Sequence, residues 1–418
     1  MENTFDVIIV GAGPGGATTA AYLGREGKKV LLIDKAKFPR DKTCGDAVSG
    51  KCMKVIRELG LVENIEKLPH AEIKGVTLSS PSGAVANVDF PENDPNRKGG
   101  TGYCVRRIYT DNMLFRCAKE TANVEVKENF FVSEVIIDGG KAAGVRGIDF
   151  EDGRKQKEFR GKIIVGADGV NSMVARSVLG EDAKLDDRHT CDAIRVYYKG
   201  ITEMTKNIEI HFFDSCLPGY FWIFPLENGY ANVGLGLISK DLKKRIAEGT
   251  NLVKMFNDAI KNEPLIKERF KNAKPAGKVT GWRLPFGSYK RKLAGEGWVL
   301  VGDAASLVDP FSGEGVGNAT AAGRLAAKTI SKAIDEGELG EERLKEYEKN
   351  VWEELGEELS TSYKMQWMGT HFRWLLNKLV EKAATSKDIK ELLSASLANE
   401  EAKKEFENPF FYLKILLT

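Results

Sequence analysis

Residues 5–10 (FDVIIV) are apolar almost without a break, three glycines follow, helical spacing resumes over 17–25, and a second apolar run over 29–33 ends on Asp34. Short apolar runs bounded by turn residues read as buried strands, so this opening predicts a strand, a tight turn, a helix and a parallel strand. Residues 51–68 read as a helix stopped by Pro69, with Met53, Ile56, Leu59 and Leu61 on its apolar positions. Residues 71–79 and 84–90 alternate as a strand pair around Pro81, Ser82 and Gly83, and 91–102 is a Pro, Asn and Gly loop. A helix over 111–121, short strands within 124–147 and a strand over 162–165 come next. Residues 191–237 are strand after strand rich in aromatics, a pattern suited to one wall of a cavity. Residues 298–301 return to a buried strand, and from 318 onward, including everything after 361, helical patterns dominate.

These elements predict an α/β fold: a Rossmann-type nucleotide domain, an interleaved β-sheet substrate domain and a C-terminal helical segment. The expected pieces are 1–70, 100–180 and 285–335 for the first, 71–99 and 181–284 for the second, and 336–418 for the third. A chain of 418 residues is too long for one ordinary core, which agrees with this division. The net charge of +2, with basic and acidic residues interleaved, argues against a nucleic-acid partner. The first strand begins too early for a signal peptide, and no stretch reaches the roughly 20 apolar residues of a spanning helix, so a cytoplasmic location is expected. Cys44, Cys52, Cys104, Cys117, Cys191 and Cys216 never fall in CxxC spacing, and His70, His189, His211 and His371 are scattered, so no metal site is expected.

Gly11, Gly13 and Gly16 stand in GxGxxG spacing between strand and helix, with Pro14 and Gly15 inside the same turn. The first glycine permits the turn, the second lets a pyrophosphate approach the backbone, and the third lets helix and strand pack closely. Free N–H groups at the helix start face the phosphates. Asp34, followed by Lys35, is placed to accept hydrogen bonds from a ribose diol. Two more acids close strands and precede small residues: Asp168 with Gly169 in GADGVNS, and Asp303 after Gly302 in VGDAAS. Such acids suit a hydroxyl-rich linker, which FAD has in its ribityl chain and NAD lacks.

This set resembles the flavoprotein superfamily of p-hydroxybenzoate hydroxylase, through the DG of Asp168–Gly169 and the GD of Gly302–Asp303. The resemblance implies FAD as cofactor, Asp303 on the ribityl hydroxyls, and the loop holding Gly313, Gly315 and Val316 against the isoalloxazine. It also implies an arginine at a helix start, where Arg107 fits and Arg106 competes. With no second GxGxxG after a strand, electrons are expected from a transiently docked donor, NAD(P)H or reduced ferredoxin.

Tyr220, Trp222 and Phe224 alternate before Pro225, so on a strand they share a face that either fills a core or lines an apolar tunnel. YxWxFP, together with Cys44 and Gly45, resembles the geranylgeranyl reductase family, in which both motifs surround an elongated site for polyprenyl chains. The resemblance covers the chain to about residue 335. It implies a reductase that saturates isoprenoid double bonds, taking hydride from N5 of reduced flavin and a proton from an acid or water. Tyr220, Trp222, Phe224 and Pro225 become the expected substrate wall, and Cys44, with Tyr220 and Trp222, the expected catalytic group; Cys44, Gly45 and Asp46 also border the flavin. Asp46 stands where chlorophyll-pathway members often have a second glycine, and Glu314 interrupts the glycine run of the flavin loop. Flavin-dependent halogenases carry WxWxIP at a similar place, where this chain has Tyr220 and Phe224 instead of Trp and Ile. A halogenase or monooxygenase, and an electron carrier to membrane quinone, are the competing functions. A polyprenyl lipid resides in a membrane, so contact with its inner face is expected, through Trp367, Phe372, Trp374, Leu375 and Leu379 and through the tail 410–417.

Overall fold

The structure is a computed structural model that describes residues 4–92 and 101–396; the tail 410–417 lies outside them. Its first sheet runs, in spatial order, Ala294–Gly295, Trp298–Leu300, Lys155–Gly166, Thr4–Val10, Val30–Ile33 and Val124–Lys127. The central pairings are parallel, with Val7 beside Val30 and Ile163 and Ile9 beside Leu32 and Val165. Helices Pro14–Arg25 and Val316–Glu336 pack on each other over it, and its central strands are apolar throughout. The hairpin Phe130–Asp138 and Lys141–Asp149 extends from Lys155–Gly166 in antiparallel pairing.

A second eight-stranded sheet holds Lys274–Pro275, Thr190–Lys199, Tyr230–Ile238, Gly219–Pro225, Asn207–His211, Gly75–Ser79 and Val85–Asp89, with Thr280–Pro285 also on Thr190–Lys199. Its outer face packs on helices Ser239–Ala247 and Leu252–Asn262 through Phe221, Ile223, Val233 and Leu235. Its inner face turns toward the nucleotide domain. The mixed α/β architecture expected from the sequence is therefore present, with the two sheets facing each other across a cleft.

Three expectations need correction. The helix read over 51–68 is two helices, Gly50–Glu58 and Val62–Glu66, parted at Gly60, which takes a left-handed φ of +75°. Residues 71–73 do not join the second sheet: Ala71–Ile73 pairs with Gly102–Cys104, which also pairs with Ala47–Val48, in a small sheet beneath the Cys44 loop. The residues after 336 do not form one separate body. Helix Glu341–His371 buries Leu344, Tyr347, Val351, Leu355 and Leu359 in the nucleotide-domain core, where the Tyr347 hydroxyl donates to the Leu300 carbonyl at 2.7 Å. Arg373–Thr385 and Lys387–Ser396 instead cover Val85–Asp89, burying Leu376, Val380, Ile389 and Leu393. Periodicity reveals that a helix has an apolar stripe; which core receives the stripe is a tertiary matter. Among the described residues no helix is long and apolar enough to cross a membrane.

Candidate active site

One large cavity, of about 1080 Å³, lies between the two sheets. At its nucleotide end the chain turns at Gly11 with φ +100°, and a Cβ there would stand 2.3 Å from the Ala167 carbonyl oxygen. A Cβ on Gly16 would stand 1.8 Å from the Gly11 oxygen. Gly16 thus packs helix on turn and does not itself face the cavity, whereas Gly13, Pro14 and Gly15 line it. Gly13 caps the helix without a side-chain bond, so the first-turn N–H groups stay open to an anion. Asp34 accepts from the Ala12 N–H at 2.7 Å and the Ala36 N–H at 2.8 Å, which braces the turn, and both Asp34 and Lys35 line the cavity.

The other strand-end acids differ from one another. Asp168 accepts from the Ser172 hydroxyl at 2.5 Å and from the Met173 N–H at 2.6 Å, so its carboxylate is committed to capping helix Met173–Leu179. Asp168 and Gly169 still border the cavity. Asp303 faces the Lys42 ammonium at 3.7 Å. Burial draws the Lys42 pKa below the usual lysine range against the pull of Asp303, and its Nζ lies 4.5 Å from the centre of the Trp282 ring. Gly302 takes φ +61°, and Gly313, Glu314, Gly315 and Val316 complete this wall at the start of helix Val316–Glu336.

Arg107 begins helix Arg107–Glu120 and grips Asp111 through Nε at 2.5 Å and Nη2 at 2.9 Å, while Arg40 reaches the same carboxylate at 2.7 Å. Burial works against the Arg107 charge, but the Asp111 carboxylate and the neighbouring Cys44 hold its pKa well above the ordinary arginine value. Arg106 turns the other way, toward Glu227, with Tyr197 and Tyr230 against its guanidinium, and only Arg107 lines the cavity.

At the far end Tyr220, Trp222 and Phe224 project from Gly219–Pro225 on one face, as the alternation predicts, and all three line the cavity with Ile73, Val76, Ile208, Ile210 and Leu284. Pro225 is buried at the strand end, paired with Ala231, and is not on the wall. Trp222 lies opposite Gly234, where a Cβ would meet its ring at 2.0 Å, so the glycine is what lets the indole lie flat on the sheet. The Tyr220 hydroxyl donates to the Ser312 carbonyl at 2.5 Å and ties the aromatic wall to the Gly313 loop. Gly45 packs on Phe224, where a Cβ would stand 2.8 Å from the ring, so the CG and YxWxFP segments, some 175 residues apart, meet.

Sequence reasoning missed the group that joins them. Asn232 donates through Nδ2 to the Cys44 carbonyl at 2.6 Å and to Asp46 at 2.7 Å, and accepts from the Trp222 indole N–H at 2.8 Å. The available signal was a lone amide inside the otherwise apolar strand ANVGLGLI. Arg40 and Lys42 were also missed, although a run of charges directly before Cys44 marks them. The three exposed aromatics expected at a membrane, Trp367, Phe372 and Trp374, cluster where Glu341–His371 meets Arg373–Thr385, but Leu375 is buried and Leu379 packs into the adjoining core.

The FAD binding domain family matches residues 4–353. The chain is similar to digeranylgeranylglycerophospholipid reductase of Methanocella arvoryzae, at 31% identity over 88% of this chain and 87% of that protein. It is similar to menaquinone reductase of Mycobacterium tuberculosis at 30% identity, over 79% and 77% of the two chains. Among solved structures, a geranylgeranyl bacteriochlorophyll reductase-like protein of Thermoplasma acidophilum superposes with a TM-score of 0.82 at 24% identity, over 98% of this chain and 100% of that one, and so shares its fold.

Proposed function

The chain belongs to the geranylgeranyl reductases of the FAD binding domain family and is an FAD-dependent oxidoreductase, and on that premise we propose that it saturates carbon–carbon double bonds of an isoprenoid lipid. The observation that carries this reading is one continuous cavity whose first end is glycine backbone and charge and whose second end is aromatic and aliphatic. The open N-terminus of Pro14–Arg25, the close approach permitted by Gly13 and the carboxylates of Asp34 and Asp303 fit FAD's pyrophosphate and hydroxyls. Gly11 and Gly16 shape that cradle, and Gly302, Gly313, Gly315 and Val316 line the cavity where they would hold the flavin ring. When bound and reduced, FAD supplies the hydride.

The chain's own groups do the rest. The wall of Tyr220, Trp222 and Phe224 binds the polyprenyl chain by excluding water from it, at about 0.8 kcal/mol per buried methylene. An unreactive olefin offers no polar handle, so its position is set by shape, and Trp222, fixed by Gly234 and Asn232, sets it. Cys44, on the loop between the aromatic wall and the charge cluster, is the group assigned to deliver the proton to the second carbon of the olefin. The electron donor is external, NAD(P)H or reduced ferredoxin, and the protein meets the membrane through Trp367, Phe372 and Trp374.

The test is anaerobic incubation of reduced, FAD-loaded protein with a digeranylgeranyl glycerophospholipid, followed by mass spectrometry. Products carrying two added hydrogens per double bond are expected. Product formed only with oxygen, carrying added oxygen or halogen, would replace this reading by a monooxygenase or halogenase.

A further inference from the structure

Asp46 is 1% exposed, borders the cavity one residue beyond Gly45 and has a left-handed φ of 70°. Glycine takes that conformation without strain, and an aspartate takes it at a modest cost that hydrogen bonds of its side chain offset. Its carboxylate accepts three hydrogen bonds: from the Arg107 backbone N–H at 3.1 Å, the Tyr197 hydroxyl at 3.0 Å and the Asn232 amide at 2.7 Å. The same amide nitrogen holds the Cys44 carbonyl, and the amide oxygen holds Trp222. Cys44 and Trp222 are therefore registered to each other through one buried amide whose orientation the carboxylate fixes.

We propose that Asp46 and Asn232 form a positioning clamp that holds the Cys44 loop against the aromatic wall, and that turnover requires Asp46 to be ionised. The groups facing Asp46 are Arg107 on its helix, Arg195 and Tyr197 on Thr190–Lys199, Asn232 on Tyr230–Ile238, Cys104 on the small sheet, and Cys44 in its own loop. Each of its hydrogen-bond partners donates. A proton on the Asp46 oxygen that Tyr197 and Asn232 share is accepted by Tyr197 only if that hydroxyl turns its own hydrogen elsewhere, and it cannot be accepted by the Asn232 NH2 group, whose bond to a neutral carboxyl is weaker and leaves the amide free to turn. Turning Asn232 releases both Cys44 and Trp222. Burial pushes the Asp46 pKa up to about 6 against the Asn232 bond, the Arg195 charge and the Tyr197 bond, so the change falls within the working range of an enzyme.

The rate arm of the test rests on the alkene-reduction reading; the exchange arm does not. FAD-loaded wild-type, Asp46→Asn and Tyr197→Phe proteins are compared between about pH 5 and pH 8, with FAD content measured throughout. In the wild type the single-turnover rate is expected to fall below about pH 6, approaching tenfold per unit. Amide exchange over residues 43–48, normalised to an unstructured chain at each pH, is expected to rise over the same interval. Asp46→Asn flattens both profiles, and Tyr197→Phe, which removes a donor from the carboxylate, moves both to higher pH. An acid limb that survives in Asp46→Asn, or wild-type exchange that ignores pH, overturns the clamp. A wild type that reduces no olefin sinks the functional reading alone, because the exchange profiles still decide the clamp.

Discussion

The two ends of the cavity are built by different means. At the nucleotide end recognition is made by backbone: Gly11, Gly13, Gly15 and Gly16 lie within six residues, and the acid that braces them follows on the next strand. At the lipid end the site is assembled from segments far apart in sequence. Cys44, Tyr197, Trp222, Asn232 and Leu284 come from five segments; sheet pairing brings the last four together, and the Asn232 amide ties the Cys44 loop to them. A backbone cradle tolerates no added atom, whereas a side-chain wall tolerates change in proportion to what is removed.

The largest expected effect lies at the first end. Gly11→Ala forces a Cβ to 2.3 Å from a carbonyl in a conformation that alanine resists, and is expected to cost about 3 kcal/mol and abolish FAD retention. A yellow, fully loaded Gly11→Ala protein would erase the contrast. Next is Trp222→Ala, expected to lower kcat/KM for the lipid about a hundredfold while FAD occupancy holds, since misplacing the olefin by an ångström costs that much. Trp222→Phe, which keeps bulk and loses only the bond to Asn232, separates shape from the clamp; equal losses in both variants would show that the bond matters more than the wall. Cys44→Ala with FAD occupancy held constant is expected to slow reduction by about tenfold or more, and unchanged turnover removes Cys44 from the chemistry. The smallest effect belongs to the exposed elbow. Trp374, 50% exposed, replaced by serine, is expected to weaken sedimentation with anionic liposomes by about 1 kcal/mol and to leave reduction of detergent-dispersed lipid unchanged.

Asp168 shows how far a strand-end acid can be read from sequence. Its position after a strand and before a helix was legible, and so was Asp303, but an acid in that place can serve a ligand or cap the helix that follows it. In Asp168 the carboxylate turned to the helix; in Asp303 it faces a half-buried lysine. Pro225 and Leu375 failed for a related reason: proximity in sequence to a functional face does not put a residue on it.

The α/β class, the glycine turn and the shared face of Tyr220, Trp222 and Phe224 were legible in the chain alone, because turns, periodicity and strand alternation are properties of short segments. Which core takes the helix Glu341–His371, why Trp222 lies flat over Gly234, and how Asn232 joins Cys44 to Asp46 were decided only by the tertiary structure. Those arrangements depend on pairing between segments far apart in sequence, where register and packing, and no local preference, choose the partner.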